Sequence, residues 1–203
     1  MVKEYTTDVL VIGSGGAGLR AGIEAEAHGA NVLIVSKSPT GMKTASIVTN
    51  GWFRAAVGGV TKEEHYNATI AGGKELNDPE LAKVIFDEGP EKIMDLENYG
   101  MTLQTHKGMI SCGDNPKARG LGFIQPLVNY IKGKGVKLVE NCLITKLVKK
   151  DGKIVGAVGF QNETVVFKAK VIVLARGGSG VLYTMTDVPI YMKVVGFALA
   201  YYA

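Results

Sequence analysis

The run Gly13-Ser14-Gly15-Gly16-Ala17-Gly18 constrains this chain more than any other feature. It directly follows Thr7–Ile12, a β-rich apolar run, and it opens Gly16–His28, where helix formers carry apolar residues at Leu19, Ile23 and Ala27. Gly29 is placed to close that helix in the left-handed conformation, and Asn31–Ser36 reads as a second apolar strand. Strand, glycine turn, helix and strand in this order make a βαβ unit with parallel neighbouring strands.

In that setting the GxGxxG spacing has a physical reason at each glycine: a tight turn, close backbone approach to a pyrophosphate, and close packing of helix on strand. The helix N-terminus adds unpaired N–H groups and the positive end of a dipole. The pattern therefore predicts a dinucleotide site built on Gly13, Ser14, Gly15, Gly16, Ala17 and Gly18. A nicotinamide fingerprint would put Asp or Glu at the end of the second strand. Ser36 and Lys37 stand there instead, able to bond a ribose and to offset phosphate charge.

Ser38–Gly59 is rich in Gly, Thr, Ser and Ala and reads as a long functional loop. A helix is expected over Thr61–Ala71. A second is capped by Asp78 with Pro79 at its first position, broken at Gly89-Pro90, and followed by a further helix to Gly100. Residues 101–122, with Gly108, Gly113, Pro116, Gly120 and Gly122, read as a long loop, and Phe123–Lys134 as a helix with Pro126 in its first turn. Five short strands follow: Val136–Val139, Leu143–Val148, Lys153–Phe160, Thr164–Lys168 and Lys170–Ala175. Turns at Asp151-Gly152 and Gln161-Asn162-Glu163 make three of them an antiparallel meander. The meander feeds into Val171–Ala175, whose continuous apolar run suits a parallel strand buried on both faces. The fold class is α/β: a Rossmann-like FAD/NAD(P)-binding domain with a parallel sheet, helices on one face, an antiparallel β-meander on the other, and a helical excursion between them.

The chain has 203 residues, 46% hydrophobic and 21% charged, enough for a sizeable core without metal or disulfide staples. Its net charge of +4 is mild. Lys132, Lys134, Lys137, Lys146, Lys149 and Lys150 are spread without interleaved aromatics, which reads as a solvated face and not as a nucleic-acid surface. Cys112 and Cys142 have neither CxxC pairing nor a nearby His at ligand spacing; they read as reduced thiols of a cytoplasmic protein without a metal site. No secretory signal is expected, and Val194–Ala203 is too short to span a bilayer. That segment closes on Tyr201-Tyr202-Ala203, an apolar helix end of the kind a larger protein would cover and continue. His28, His65 and His106 are scattered, with no spacing that suggests a triad, so no catalytic residue is assigned. Trp52 and Phe53 suit either core packing or stacking near a flavin.

Residues Thr7–Gly18 with Val35-Ser36-Lys37 resemble the opening of the flavoprotein subunits of succinate dehydrogenase and fumarate reductase, and of the related L-aspartate oxidases. The likeness continues in Ala71-Gly72-Gly73, Asp78-Pro79-Glu80-Leu81 and Gly89-Pro90-Glu91. It resumes in Asp151–Val158 and in Lys170-Val171-Ile172-Val173-Leu174-Ala175-Arg176-Gly177-Gly178. The resemblance implies that residues 1–203 form a single FAD-binding domain, with the family's substrate-capping and C-terminal catalytic segments absent. The first glycine loop would hold the FAD pyrophosphate, Ser36 and Lys37 the adenosine side, and Ser38, Thr44, Ala45, Ser46, Asn50 and Gly51 the stretch along the isoalloxazine. Ala175, Gly177 and Gly178 would close on the cofactor, and Ile144 completes the implied set.

Three departures from the family pattern stand out. Ala45 occupies the position of the His that attaches FAD covalently in membrane-complex members, which implies non-covalent FAD. Arg176 replaces a Thr, and Lys193-Val194-Val195-Gly196 stands where a Thr-Gly-Asp-Gly segment supplies a cofactor-binding Asp. The implied function is FAD binding within an oxidoreductase of the succinate dehydrogenase/fumarate reductase type. There, hydride passes between flavin and a dicarboxylate, and electrons leave through an iron–sulfur or membrane-anchor partner subunit or to an external acceptor. Two alternatives are an L-aspartate oxidase-like flavoprotein and a non-catalytic or truncated dinucleotide-binding domain acting only within an assembly. The implied location is the cytoplasm, or the inner face of a membrane through partners.

Overall fold

The computed structural model describes residues 2–113 and 120–203. In chain order its elements are β1 (Lys3–Ile12), α1 (Gly16–Ala27), β2 (Val32–Val35), α2 (Ala45–Val48), β3 (Trp52–Arg54), α3 (Lys62–Gly72), α4 (Pro79–Met94), β4 (Leu103–His106), β5 (Met109–Cys112), α5 (Gly120–Gly133), β6 (Lys137–Val139), β7 (Leu143–Lys150), β8 (Lys153–Gln161), β9 (Glu163–Leu174) and α6 (Val195–Tyr201). They fall into two compact units, Met1–Val48 with Leu127–Ala203, and Thr49–Pro126.

The first unit is an α/β layer built on one six-stranded sheet of order β6-β2-β1-β9-β8-β7. β1 pairs in parallel with β2 and with β9, and β2 in parallel with β6, which is the arrangement the βαβ reading expects. Leu10 and Ile12 of β1, Leu33 and Val35 of β2, and Phe167 and Val165 of β9 enter one core with Ile144, Leu147 and Ala157. Tyr5 stacks on Phe167 with ring centroids 5.4 Å apart. The alternate residues Val11 and Ile34 are also buried, so β1 and β2 are covered on both faces. Leu19 and Ile23 of α1 are buried on that second side, as their spacing requires. Thr7 Oγ1 donates to the Asn31 carbonyl at 2.6 Å, and Asn31 N donates to Asp8 Oδ2 at 2.9 Å, fixing how β2 enters the sheet beside β1. Gly29 does end the α1 region with φ +79°.

The meander lies over the face of the parallel strands opposite α1, as expected, with Ile144, Leu147 and Ala157 packed against Leu10, Ile12, Leu33 and Val35 and Cys142 N donating to the Ser36 carbonyl. It is also hydrogen-bonded into the same sheet, because Thr164–Lys168 and Lys170–Ala175, expected as two strands, are one. β9 pairs antiparallel with β8 from Gln161↔Glu163 to Gly156↔Lys168, and in parallel with β1 from Lys3↔Val165 to Ile12↔Leu174. Its length draws β1 out to Lys3, beyond the Thr7 start that hydrophobicity suggests, since every added residue of β1 gains ladder bonds with β9. The C-terminal end of β9 is not buried on both faces: Val171 is 54% exposed. The Asp151-Gly152 turn is as read, with φ +50° and +76°, the positive pair a tight two-residue hairpin needs.

The second unit holds α3, α4 and a three-stranded antiparallel sheet of order β3-β5-β4. α3 begins on a capping box in which Thr61 and Glu64 bond each other's backbone, and Asp78 caps α4 through Oδ1. Gly89-Pro90 does not break α4, which runs on to Met94. A residue before proline is pushed out of helix by its Cβ, and Gly89 has none. The continuation past Met94 is a 3-10 turn, Asp95–Tyr99, closed by Gly100 with φ +81°. The stretch expected as loop contains the β4–β5 hairpin, turned at Lys107 and Gly108 with φ +40° and +76°. α5 starts at Gly120, so Pro126 lies within it and not in its first turn. The loop reading at 114–119, which takes in Pro116, lies outside the described residues.

Candidate functional site

The glycine turn is welded into the sheet by contacts that admit no side chain. Gly13 has φ +117°, and a Cβ there would sit 2.2 Å from the Ala175 carbonyl oxygen; a Cβ on Gly18 would sit 2.0 Å from the Gly13 carbonyl oxygen. Gly13 N donates to the Val35 carbonyl and Ala175 N to the Ile12 carbonyl, each at 2.9 Å, so the turn is pinned between the ends of β2 and β9. Gly15 caps α1 and has no side chain to satisfy its first amides. A Cβ on Gly15 would meet nothing nearer than Ser46 Oγ at 3.5 Å; that hydroxyl takes the Gly16 amide and leaves the approach to the Ala17 and Gly18 amides open.

A cavity of about 330 Å³ lies against this turn, a size within the range of small-molecule pockets. Gly13 to Ala17 line one side, Ser36, Lys37 and Ser38 follow β2, Thr44, Ala45 and Ser46 come from α2 and its approach, and Ala175, Arg176 and Gly177 follow β9. The structure thus gathers at one cavity four stretches that the sequence names separately. Gly18 is buried beside Gly13, and Gly178 follows the lining residue Gly177. Ile144 on β7 is fully buried in the core and is not among the lining residues. Asn50 and Gly51 belong to the second unit, where the Gly51 carbonyl accepts from Cys112 N at 3.0 Å.

Side-chain hydroxyls hold the loops of the cavity in place. Ser46 Oγ accepts from Gly16 N at 3.1 Å, and Ser14 Oγ accepts from Gly41 N at 3.0 Å. Ser36 Oγ donates to the Ser38 carbonyl at 2.6 Å, and Ser38 Oγ to the Met42 carbonyl at 2.8 Å. Thr40 N donates to Glu140 Oε1 at 2.7 Å, and the two hydrogen bonds from Thr40 hold the Glu140 carboxyl below its ordinary range.

Sequence reasoning missed the far wall. Tyr191, Met192 and Lys193 line the cavity, as does Lys43. Lys37 Nζ donates to the Tyr191 carbonyl, and Lys43 Nζ lies over the Tyr191 ring, 5.4 Å from its centroid. Arg176 and Lys193, visible in the sequence only as departures from a family pattern, bring the lining cations to four. Partial desolvation and the positive charges of Arg176 and Lys193 lower the Lys37 pKa, and burial lowers that of Arg176. No Asp or Glu lines the cavity among the described residues. Open amides at a helix N-terminus and an uncompensated positive wall suit an anionic, phosphate-bearing ligand.

The other candidates offer no such site. His65 packs edge-on against Phe86 at 4.6 Å. His106 pairs with Met109 and Cys112 with Leu103, at opposite ends of the β4–β5 hairpin. Burial pushes the Cys112 thiol up to about 11. Phe53 stacks edge-on with Phe123, and Trp52 is half exposed.

The profile of the FAD binding domain family matches residues 8–200. The chain belongs to that family. It is 33% identical to a subunit of the fumarate reductase (CoM/CoB) of Methanothermobacter marburgensis, over 98% of this chain and 40% of that protein. It is 27% identical to an L-aspartate oxidase of Streptomyces coelicolor, over 95% of this chain and 37% of that protein. The solved structure of Mycobacterium smegmatis Sdh1 in complex with UQ1 matches with a TM-score of 0.88 at 30% identity, over 98% of this chain and 38% of that one. The chain therefore spans between 37 and 40% of the length of these two curated relatives. It is an FAD-binding domain of the succinate dehydrogenase/fumarate reductase flavoprotein family, with L-aspartate oxidases also among its relatives. Among the described residues, no helix is long and apolar enough to cross a membrane.

The cavity fits the diphosphate and adenosine portion of FAD by the chemistry of its donors. The α1 amides beyond Gly16 and the lysines can take the phosphates.

Proposed function

We propose that this chain holds FAD non-covalently in the described cavity, as the flavin-binding part of an oxidoreductase of the succinate dehydrogenase/fumarate reductase type. The observation that carries the reading is the convergence of the Gly13–Ala17 turn, the Ser36–Ser38 strand end and the Ala175–Gly177 strand exit on one basic cavity. Bound flavin supplies hydride and electron transfer with a dicarboxylate. The protein's part is to bind and orient: Gly13, Ser14, Gly15 and Gly16 at the diphosphate, Ser36, Lys37 and Ser38 at the adenosine end, and Thr44, Ala45 and Ser46 toward the isoalloxazine. Ala175, Gly177 and Gly178 close the site. The family profile runs through both compact units, which supports reading residues 1–203 as one FAD-binding domain.

Non-covalent attachment rests on Ala45, the first residue of α2, whose methyl offers no nucleophile at the lining. Electrons would leave through an iron–sulfur or membrane-anchor partner subunit, and the two free, buried cysteines suit the reducing cytoplasm. Ala45 together with the L-aspartate oxidase relative also favours a second reading, oxidation of L-aspartate. The test is purification followed by acid precipitation. Yellow protein that releases all its flavin to the supernatant supports the reading, and colourless protein that cannot be reconstituted with FAD ends it. Turnover of fumarate with an artificial donor, set against L-aspartate, separates the two substrates. Yellow protein inactive with both would be a binding module alone.

A further inference from the structure

Four cations line the cavity, and they are not equivalent. Lys37 and Lys43 have partners within the chain, the Tyr191 carbonyl and the Tyr191 ring. Arg176 and Lys193 take part in none of the ion pairs found among the described residues, and no carboxylate lines the cavity there. Arg176 is nevertheless held in place. It follows Ala175, whose carbonyl packs on Gly13, and a Cβ on Gly196 would lie 3.1 Å from the Arg176 Cβ. Its backbone is thus fixed between the glycine turn and the start of α6. Gathering like charges at a partly desolvated site costs free energy unless an anion completes it. The anion the surroundings select is a diphosphate, because the same cavity lies at the N-terminus of α1, where the amides beyond Gly16 have no side-chain cap.

We infer that Arg176 and Lys193 are specificity-determining residues of this site, each contributing an ionic contact to the diphosphate of the dinucleotide. This rests on the reading that the cavity is the FAD site. The two cations take over the anchoring that an acidic residue does not provide here, so ligands are chosen by their phosphates more than by ribose recognition. Retention of FAD is correspondingly sensitive to salt, most through the exposed Lys193 and less through the partly buried Arg176, since exposed ionic contacts are screened within about a Debye length.

The experiment measures FAD affinity by flavin fluorescence quenching in wild type, Arg176→Gln, Lys193→Gln, the double variant and the charge-preserving Arg176→Lys, each at low and high sodium chloride, with circular dichroism confirming the fold. Competition by ADP, AMP and adenosine is measured in parallel. The inference expects about a tenfold loss of affinity for each Gln variant, the strength of one charge-assisted hydrogen bond. It also expects a shallower salt dependence in the double variant, Arg176→Lys close to wild type, and displacement in the order ADP, AMP, adenosine. A merely structural Arg176 would lower affinity without changing the salt dependence. Lys193 is exposed, so Lys193→Gln tests the claim even where a change at Arg176 disturbs folding. Wild type that binds FAD tightly while both Gln variants match it in affinity and salt response overturns the inference and leaves the site reading standing. Wild type that binds neither FAD nor ADP overturns both.

Discussion

Gly18→Ala sets two effects of opposite sign against each other. Position 18 lies inside α1, where alanine is favoured over glycine by about 1 kcal/mol. The new Cβ, however, would lie 2.0 Å from the Gly13 carbonyl oxygen and 2.9 Å from the carbonyl carbon. Carbon and oxygen pack comfortably at about 3.3 Å, so roughly 1.3 Å must be recovered by moving backbone. Neither side yields easily: Gly13 is tied to Val35 at 2.9 Å, and Leu19 and Ile23 anchor α1 in the core. Overpacking against fixed atoms costs about 1–3 kcal/mol, and more where only backbone can move. The steric term wins, and the variant should lose about 2 kcal/mol, lowering a urea midpoint by about 1 M at an ordinary denaturant slope. Because α1 must shift away from the turn, FAD affinity should fall as well. Gly72→Ala is the matched control: it ends α3, has no heavy atom within 4 Å of the added Cβ, and should gain about 0.5 kcal/mol. Urea titrations followed by far-UV circular dichroism, with and without FAD, read both variants. A Gly18→Ala protein as stable as wild type would refute the close-approach argument for this turn.

Three further outcomes are expected. Thr61→Ala removes the hydroxyl that accepts from Glu64 N in the α3 capping box, leaves the Glu64 carboxylate on the residue-61 amide, and should cost about 1 kcal/mol, read as a lower thermal midpoint. Glu140 has a folded pKa below its unfolded value, so its contribution is present above the unfolded carboxylate pKa and is lost as pH falls through the folded one. Because Glu140 holds the Thr40–Gly41 loop that Gly41 N ties to Ser14, FAD should be released more readily on acidification, and Glu140→Gln should flatten that part of the pH profile in a flavin-release titration. Cys112, with its thiol raised to about 11, and Cys142, raised by burial, should resist a thiol reagent at pH 8 in the folded protein and react fully in denaturant, counted by absorbance.

Features set by local chemistry were legible in the residues themselves. The βαβ unit could be read because helix period, strand run and turn glycines all act within a few residues of one another. The cap at Asp78, the left-handed Gly29 and the Asp151-Gly152 hairpin were legible for the same reason. The Gly13–Gly18 turn belongs to this class, since its glycines mark a backbone geometry that other residues resist. Features that depend on distant partners emerge only in the folded chain. Pairing on both edges makes β9 one strand and draws out β1 to meet it. Nothing in the four-residue runs of β4 and β5 distinguishes a hairpin from a loop until β3 supplies a neighbour. The positive wall of the cavity is of the same kind: Lys37, Lys43, Arg176 and Lys193 are scattered along the chain, and only the fold brings their charges to one space.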